Sequence, residues 1–352
     1  MKFRFLLASQ LFLLCTSSLS TSNALVQSAS FATRGQNLHL ADIHIRDPWI
    51  LADTSSRTYF LYATNSEQVT GIHRAGVMVY TSKDLRNWDA PSLVFTLPDG
   101  TWADARQSAW APEVHMYHKK FYLFVTLPNP GKIIAEPPAT WRTNTMRGTT
   151  IAVSDSPEGP FTLLKSDAPV PPADFMTLDG TFYLDAAGTP WMVYCHEWAQ
   201  KIDGTIEALP LKGDLSSAAG PPIFLFKGSD APWLDATLSV DRSENFYVTD
   251  GPELFRSKDG HLLMLWSTVG RNGYVEAVAR SKSGQLQGPW EQLPPLLEVD
   301  GGHGMLFRSF EGQLLLVIHR TNGDAYAKLY DIEDDGDHLV VLKERVDLDG
   351  VR

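Results

Sequence analysis

The feature that most constrains this chain is a recurrence. Five times, a polar corner opens a run of aromatic and β-branched residues, a turn follows, and a second apolar run returns. The first is Arg46-Asp47-Pro48-Trp49, returning through Thr58–Ala63, and the second is Trp110-Ala111-Pro112-Glu113, returning through Phe121–Val125. The third opens at Leu178-Asp179-Gly180, the fourth at Gly251-Pro252-Glu253-Leu254, and the fifth at Gly302-His303-Gly304. Short apolar runs bounded by Gly, Pro, Asn and Asp read as β-hairpins, and the helical period is nearly absent. Most units continue into a second, more polar hairpin, such as Val77–Tyr80 with Ser82–Trp88 and Val275–Ala279 with Ser281–Trp290.

Two hairpins make a four-stranded blade. Asp47 to Glu113 and Glu113 to Asp179 are each 66 residues, Asp179 to Glu253 is 74, and Glu253 to His303 is 50. Units of this length in radial array predict an all-β, five-bladed β-propeller. With 352 residues, 43% of them hydrophobic, the chain can bury such a core. Innermost strands begin at one end of a central channel, so their opening residues converge. The expected set is Asp47, the Glu113 region, Asp179, Glu253 and His303.

The ends and the charge narrow the setting. Lys2 and Arg4 precede an apolar run, Phe5–Leu14, and small residues at Ser22-Asn23-Ala24. That predicts a signal peptide over residues 1–24, a secreted or periplasmic protein, and one propeller domain over 25–352. No other segment reads as a membrane span, and the leader is expected to stay polar to Leu40. Cleavage leaves only Cys195, which excludes an intramolecular disulfide. The formal net charge is −11 without a basic patch, so neither nucleic acid nor a membrane is an expected partner. A neutral carbohydrate suits this balance.

Carboxylates around one channel repel one another and are costly to desolvate. Paired carboxylates are what glycoside hydrolysis needs: one protonated acid for the leaving oxygen and one carboxylate to activate water or attack carbon. Trp49, Trp110, Tyr183 and Phe255 stand near enough in sequence to supply walls for sugar faces. His196-Glu197-Trp198 follows an inner hairpin and offers a further acid, although a loop acid is more often solvated.

The ordered motifs Arg46-Asp47-Pro48, Trp110-Ala-Pro-Glu113, Leu178-Asp179-Gly180, Gly251-Pro-Glu253-Leu and Gly302-His303-Gly304 resemble those of glycoside hydrolase family 43, over about residues 42–342. The resemblance implies a five-bladed propeller that inverts the anomeric carbon. By position it implies Asp47 as general base, Asp179 as the carboxylate that tunes the donor's pKa, and Glu253 as general acid. Asp174 and Asp185 compete with Asp179, because Gly180 stands where the family more often has Pro. Asp250 stands where a Glu is common, a departure expected to matter little. His303 matches a central histidine that in many members lies beside a calcium or a water cluster, so the resemblance leaves open a structural calcium near it, with no cofactor required. Trp49, Trp110, Glu113 and Arg320 are the expected substrate contacts. The implied bond is an α-L-arabinofuranoside or a β-D-xyloside of plant cell-wall polysaccharide, with arabinofuranosidase favoured and endo-acting arabinanase a variant. The competing expectations are a carbohydrate-binding propeller without catalysis and a related propeller glycosidase acting on fructan or galactan. A lectin, however, has no need of a protonated donor.

Overall fold

A computed structural model of the protein describes residues 37–134, 142–234, 246–321 and 323–350. The expected signal peptide lies outside the described residues. Twenty strands form five antiparallel four-stranded sheets, each built from consecutive segments. Blade 1 is β1 (Trp49–Asp53), β2 (Thr58–Thr64), β3 (Gly76–Ser82) and β4 (Ser92–Thr96). Blade 2 is β5 (Trp110–Tyr117), β6 (Lys120–Ile133), β7 (Thr145–Ser154) and β8 (Thr162–Leu163). Blade 3 is β9 (Thr177–Leu184), β10 (Pro190–His196), β11 (Thr205–Pro210) and β12 (Ile223–Lys227). Blade 4 is β13 (Asp250–Arg256), β14 (Leu262–Gly270), β15 (Gly273–Ser281) and β16 (Trp290–Gln292). Blade 5 is β17 (Gly301–Arg308), β18 (Leu314–Arg320), β19 (Tyr326–Asp334) and β20 (Leu339–Glu344). The first strands touch in a closed cycle, β1 to β5 to β9 to β13 to β17 and back to β1. This is the expected five-bladed propeller.

The core lies between blades. β10 and β14 are buried along nearly their whole length, and their apolar side chains pack against those of the neighbouring blades. Trp266 is fully buried among residues of blades 3 and 4. Truncating it to Ala would cost about 3–5 kcal/mol. Among the described residues no strand is shared between the first and last blades. The segment around Leu40, where the polar leader was expected to end, closes the ring instead. Leu38 bridges to Trp88 of blade 1, while the Ile45 N–H donates to the Ala325 carbonyl at 2.9 Å beside blade 5. Leu40 and Ile43 of this segment are buried.

The backbone gives the register that side-chain identity obscured. Asp47, Ala111, Asp179, Gly251 and His303 all adopt left-handed conformations, with φ between 44° and 54°. They are the equivalent corners where each first strand starts. Glu113 and Glu253 therefore do not open their strands; each lies two residues further in. The pairing of first and second strands breaks at the same place in blades 2, 4 and 5, between Trp110 and Glu113, Asp250 and Glu253, and Gly302 and Met305. A left-handed conformation costs a non-glycine residue roughly 1–2 kcal/mol. Four of the five corners are non-glycine, and such strain concentrates where function holds it.

Candidate active site

A cavity of about 460 Å³ opens at the end of the ring where the first strands begin. That volume suits a small-molecule or oligomer site. All five blades reach it: Asp47 from blade 1, Trp110 from blade 2, Asp179 from blade 3, Asp250 and Tyr274 from blade 4, and His303 from blade 5. His44, Arg46, Asn65, Ser66 and Ser108 form part of its wall.

Two histidines hold Asp47. Its Oδ1 lies 3.2 Å from His303 Nδ1 and 3.3 Å from His319 Nδ1. Its backbone N–H donates to His319 Nδ1 at 3.2 Å, so His319 accepts from the backbone while His303 is the ring that faces the carboxylate as a donor. Burial works to raise the Asp47 pKa, but His303, His319 and Arg46 outweigh it and hold the carboxyl below its ordinary value of 3.8. Asp47 is therefore ionised near neutrality.

The other two acids are displaced the opposite way. Asp179 is buried, accepts the Gly251 N–H at 3.1 Å, and has Oδ2 3.7 Å from His303 Nδ1. Burial dominates, and the charges of Asp250 and Asp47 add to it, so its pKa stands well above 3.8. Asp250 is only partly buried and accepts the Tyr274 hydroxyl at 2.8 Å. Burial pushes it up to about 6, against the opposing pull of His303 and of that hydroxyl. The His303 pKa is itself raised: burial disfavours the imidazolium, but Asp47, Asp179, Asp250 and Glu113 outweigh it. Tyr274 in turn stacks on His319 at 5.3 Å, linking the two sides of the cavity.

Several expected residues lie elsewhere. Glu253 is not among those lining the cavity; its carboxylate accepts the Leu306 N–H at 3.0 Å, two residues inside the ring. Asp250, three residues earlier, occupies the position expected of Glu253. Glu113 is buried and pairs with His115 Nε2 at 2.9 Å. Trp49 is a core residue, buried, with its indole N–H donating to the Val114 carbonyl at 3.0 Å. Arg320 turns away from the cavity toward the outer strands, donating to Tyr330 at 3.1 Å and Glu344 at 3.2 Å. Tyr183 accepts from Arg256, and Phe255 packs between blades. Of the expected aromatic walls only Trp110 lines the cavity. The Arg147 guanidinium lies 4.6 Å over its ring and pairs with Glu197, which is buried rather than solvated. Asp185 closes a turn, accepting from Thr189 and the Trp191 indole.

The calcium expectation can be tested on the donors. Hard cations take six or more oxygen ligands. Among the described residues no three His, Cys, Asp or Glu side chains are grouped to hold a metal. His303 Nδ1 faces the carboxylates of Asp47 and Asp179.

Comparison with known proteins places this geometry. The chain matches the model of Glycosyl hydrolases family 43 over residues 41–340. It is similar to the crystal structure of an endo-arabinase from Bacteroides thetaiotaomicron VPI-5482, with 36% identity, 86% of this chain and 99% of that chain covered, and a TM-score of 0.74. A thermostable family-43 glycoside hydrolase shares 23% identity over 85% of this chain and 93% of that chain, with a TM-score of 0.68. An endo-1,4-beta-xylanase from Bacteroides thetaiotaomicron VPI-5482 shares 21% over 88% and 97%, with a TM-score of 0.65. The last two likenesses show the fold alone. Among curated proteins nothing matches the chain.

Proposed function

The chain belongs to glycosyl hydrolase family 43, and from that premise we propose that it hydrolyses α-L-arabinofuranosidic bonds of arabinan-type polysaccharide with inversion at the anomeric carbon. The observation that carries the chemistry is that Asp47 and Asp250 share one cavity while their pKa values are displaced in opposite directions. Pairs of titratable groups pushed apart in this way mark the base and the acid. Asp47, ionised between two imidazoles, takes a proton from water as the water oxygen bonds to the anomeric carbon. Asp250 gives its proton to the departing glycosidic oxygen as that bond breaks. Asp179 accepts the Gly251 N–H and so holds the corner next to Asp250. In this reading Asp250 replaces Glu253 as the acid, and Trp110 supplies the flat wall.

Arabinose is favoured by the 36% likeness to a solved endo-arabinase, which spans nearly the whole of both chains. A polymeric substrate is favoured by the same likeness to an endo-acting enzyme. A second, open depression is lined by Asp104, Arg106 and Gln107, which precede Ser108 and Trp110 of the cavity wall in sequence, and by Asn129 of β6. The test is digestion of linear arabinan, xylan and β-1,3-galactan by the purified protein. Arabino-oligosaccharides, with the first-formed anomer inverted, are the expected products. Release from xylan or galactan alone would overturn the choice of sugar, and silence on all three would favour a binding propeller.

A further inference from the structure

A further carboxyl stands behind the cavity and is not among the residues that line it. Glu276 projects from β15, the third strand of blade 4, among buried apolar neighbours, and it is completely buried. Its Oε2 accepts the Gly304 N–H at 2.8 Å and the Ser267 hydroxyl at 3.0 Å. That hydroxyl oxygen in turn accepts the His303 N–H at 2.7 Å. Its Oε1 is buried without a hydrogen-bond partner. Burying a carboxyl in this way is costly, and apolar residues of similar volume commonly pack such positions as well or better. Stability alone does not explain it.

The flanking glycines explain what the contact requires. A Cβ at Gly302 would sit 2.7 Å from Ser267 Oγ, and one at Gly304 would sit 2.9 Å from Glu276 Oε2. Glycine on both sides of His303 lets the Ser267–Glu276 pair reach its backbone. That backbone is the left-handed corner from which the imidazole extends to Asp47 and Asp179. We propose that Glu276, with Ser267, is a positioning residue that fixes the 303–304 corner, and through His303 the distance between the base and the neighbouring acid. Neutral, it presents one carbonyl-like acceptor to two donors; burial pushes its pKa up to about 8, which keeps it so.

The inference rests on reading Asp47 and Asp250 as base and acid, so its test has one arm in turnover and one outside it. Glu276→Leu is expected to lower kcat about a hundredfold with KM little changed, the effect of a small misplacement of reacting groups. Glu276→Gln, which keeps the acceptor, is expected to restore most of kcat. In a His303→Ala background Glu276→Leu should add almost nothing, because it acts through the missing ring; a merely structural role would give additive losses. Outside turnover, NMR titration of the His303 ring should show a lower pKa in Glu276→Leu, as the ring loses its fixed approach to the carboxylates. Full additivity, or a folded Glu276→Leu with unaltered kcat and His303 titration, overturns the proposal. If Glu276→Leu does not fold, Ser267→Ala carries the same two readouts. An altered His303 titration in a protein inactive on every glycoside would leave the positioning role standing and remove the hydrolytic reading instead.

Discussion

Two layers of acids, an upper one at the cavity and a lower one packed behind it, behave differently. The upper layer holds Asp47, Asp179 and Asp250, joined by His303 and His319. The lower layer holds Glu253 and Glu276, whose partners are the Leu306 and Gly304 N–H groups and Ser267. In the upper layer the pKa values split: Asp47 falls while Asp179 and Asp250 rise. In the lower layer both glutamates rise, Glu253 through burial with the charges of Glu113 and Glu276 adding to it. Burial alone makes carboxylates neutral; a cation beside one of them is what makes a pair unequal. Only an unequal pair can supply a base and an acid at the same pH.

Substitutions can break or sharpen that contrast. The largest effect is expected from Asp47→Asn, which removes the ionised member. General base catalysis is worth about 10²–10⁴-fold, and kcat should fall by that order on every substrate, since water activation is always needed. His303→Ala should follow, at roughly a hundredfold from lost positioning. Its pH profile is the sharper readout. His303 lowers both Asp47 and Asp250, so its loss raises both pKa values. The acid limb, set by ionisation of Asp47, and the alkaline limb, set by deprotonation of Asp250 at about 6, should both move to higher pH. Tyr274→Phe removes only the hydroxyl that stabilises ionised Asp250, so the alkaline limb alone should rise, with kcat down by about tenfold at most, the worth of one strong hydrogen bond. Arg320→Ala should be the smallest: unchanged kcat, and less than about 1 kcal/mol of stability in a urea melt, since its ion pair with Glu344 is partly exposed.

The lower layer has its own signature in stability. A group whose folded pKa is raised stabilises the fold fully below its unfolded pKa, and that contribution is lost as pH rises through the folded value. For Glu276 the window runs from its ordinary 4.5 to about 8. Thermal melts of the Glu276→Gln variant should therefore be flatter across that range than those of the parent; parallel curves would remove the buried carboxyl as a titrating group.

Much of this was legible in the chain. Arg46-Asp47-Pro48, Leu178-Asp179-Gly180 and Gly302-His303-Gly304 name three of the five corners, because there the corner residue itself carries the polar side chain. Blades 2 and 4 misled because their corners are Ala111 and Gly251, which carry no polar group. Aligning on the nearest carboxylates then drew the register two residues inward, to Glu113 and Glu253. The signal that would have found Asp250 was its place immediately before the Gly251-Pro252 corner. His319 could be read from its place at the end of the fifth hairpin, but Tyr274 and Glu276 come from the third strand of blade 4, where no corner motif marks them and only packing brings them near the site. Trp49 shows the converse: it stands beside a motif in sequence, yet strand alternation directs it into the core.

The central claim is that the acid is Asp250 and not Glu253. The most direct measurement is kcat/KM for Asp250→Asn and Glu253→Gln side by side, on an arabino-oligosaccharide and on an activated aryl arabinofuranoside whose leaving group needs little protonation. The account predicts that Asp250→Asn loses at least about a hundredfold on the oligosaccharide and far less on the aryl glycoside, while Glu253→Gln changes both alike and little. A leaving-group-selective loss in Glu253→Gln, with Asp250→Asn indifferent to the leaving group, would contradict it.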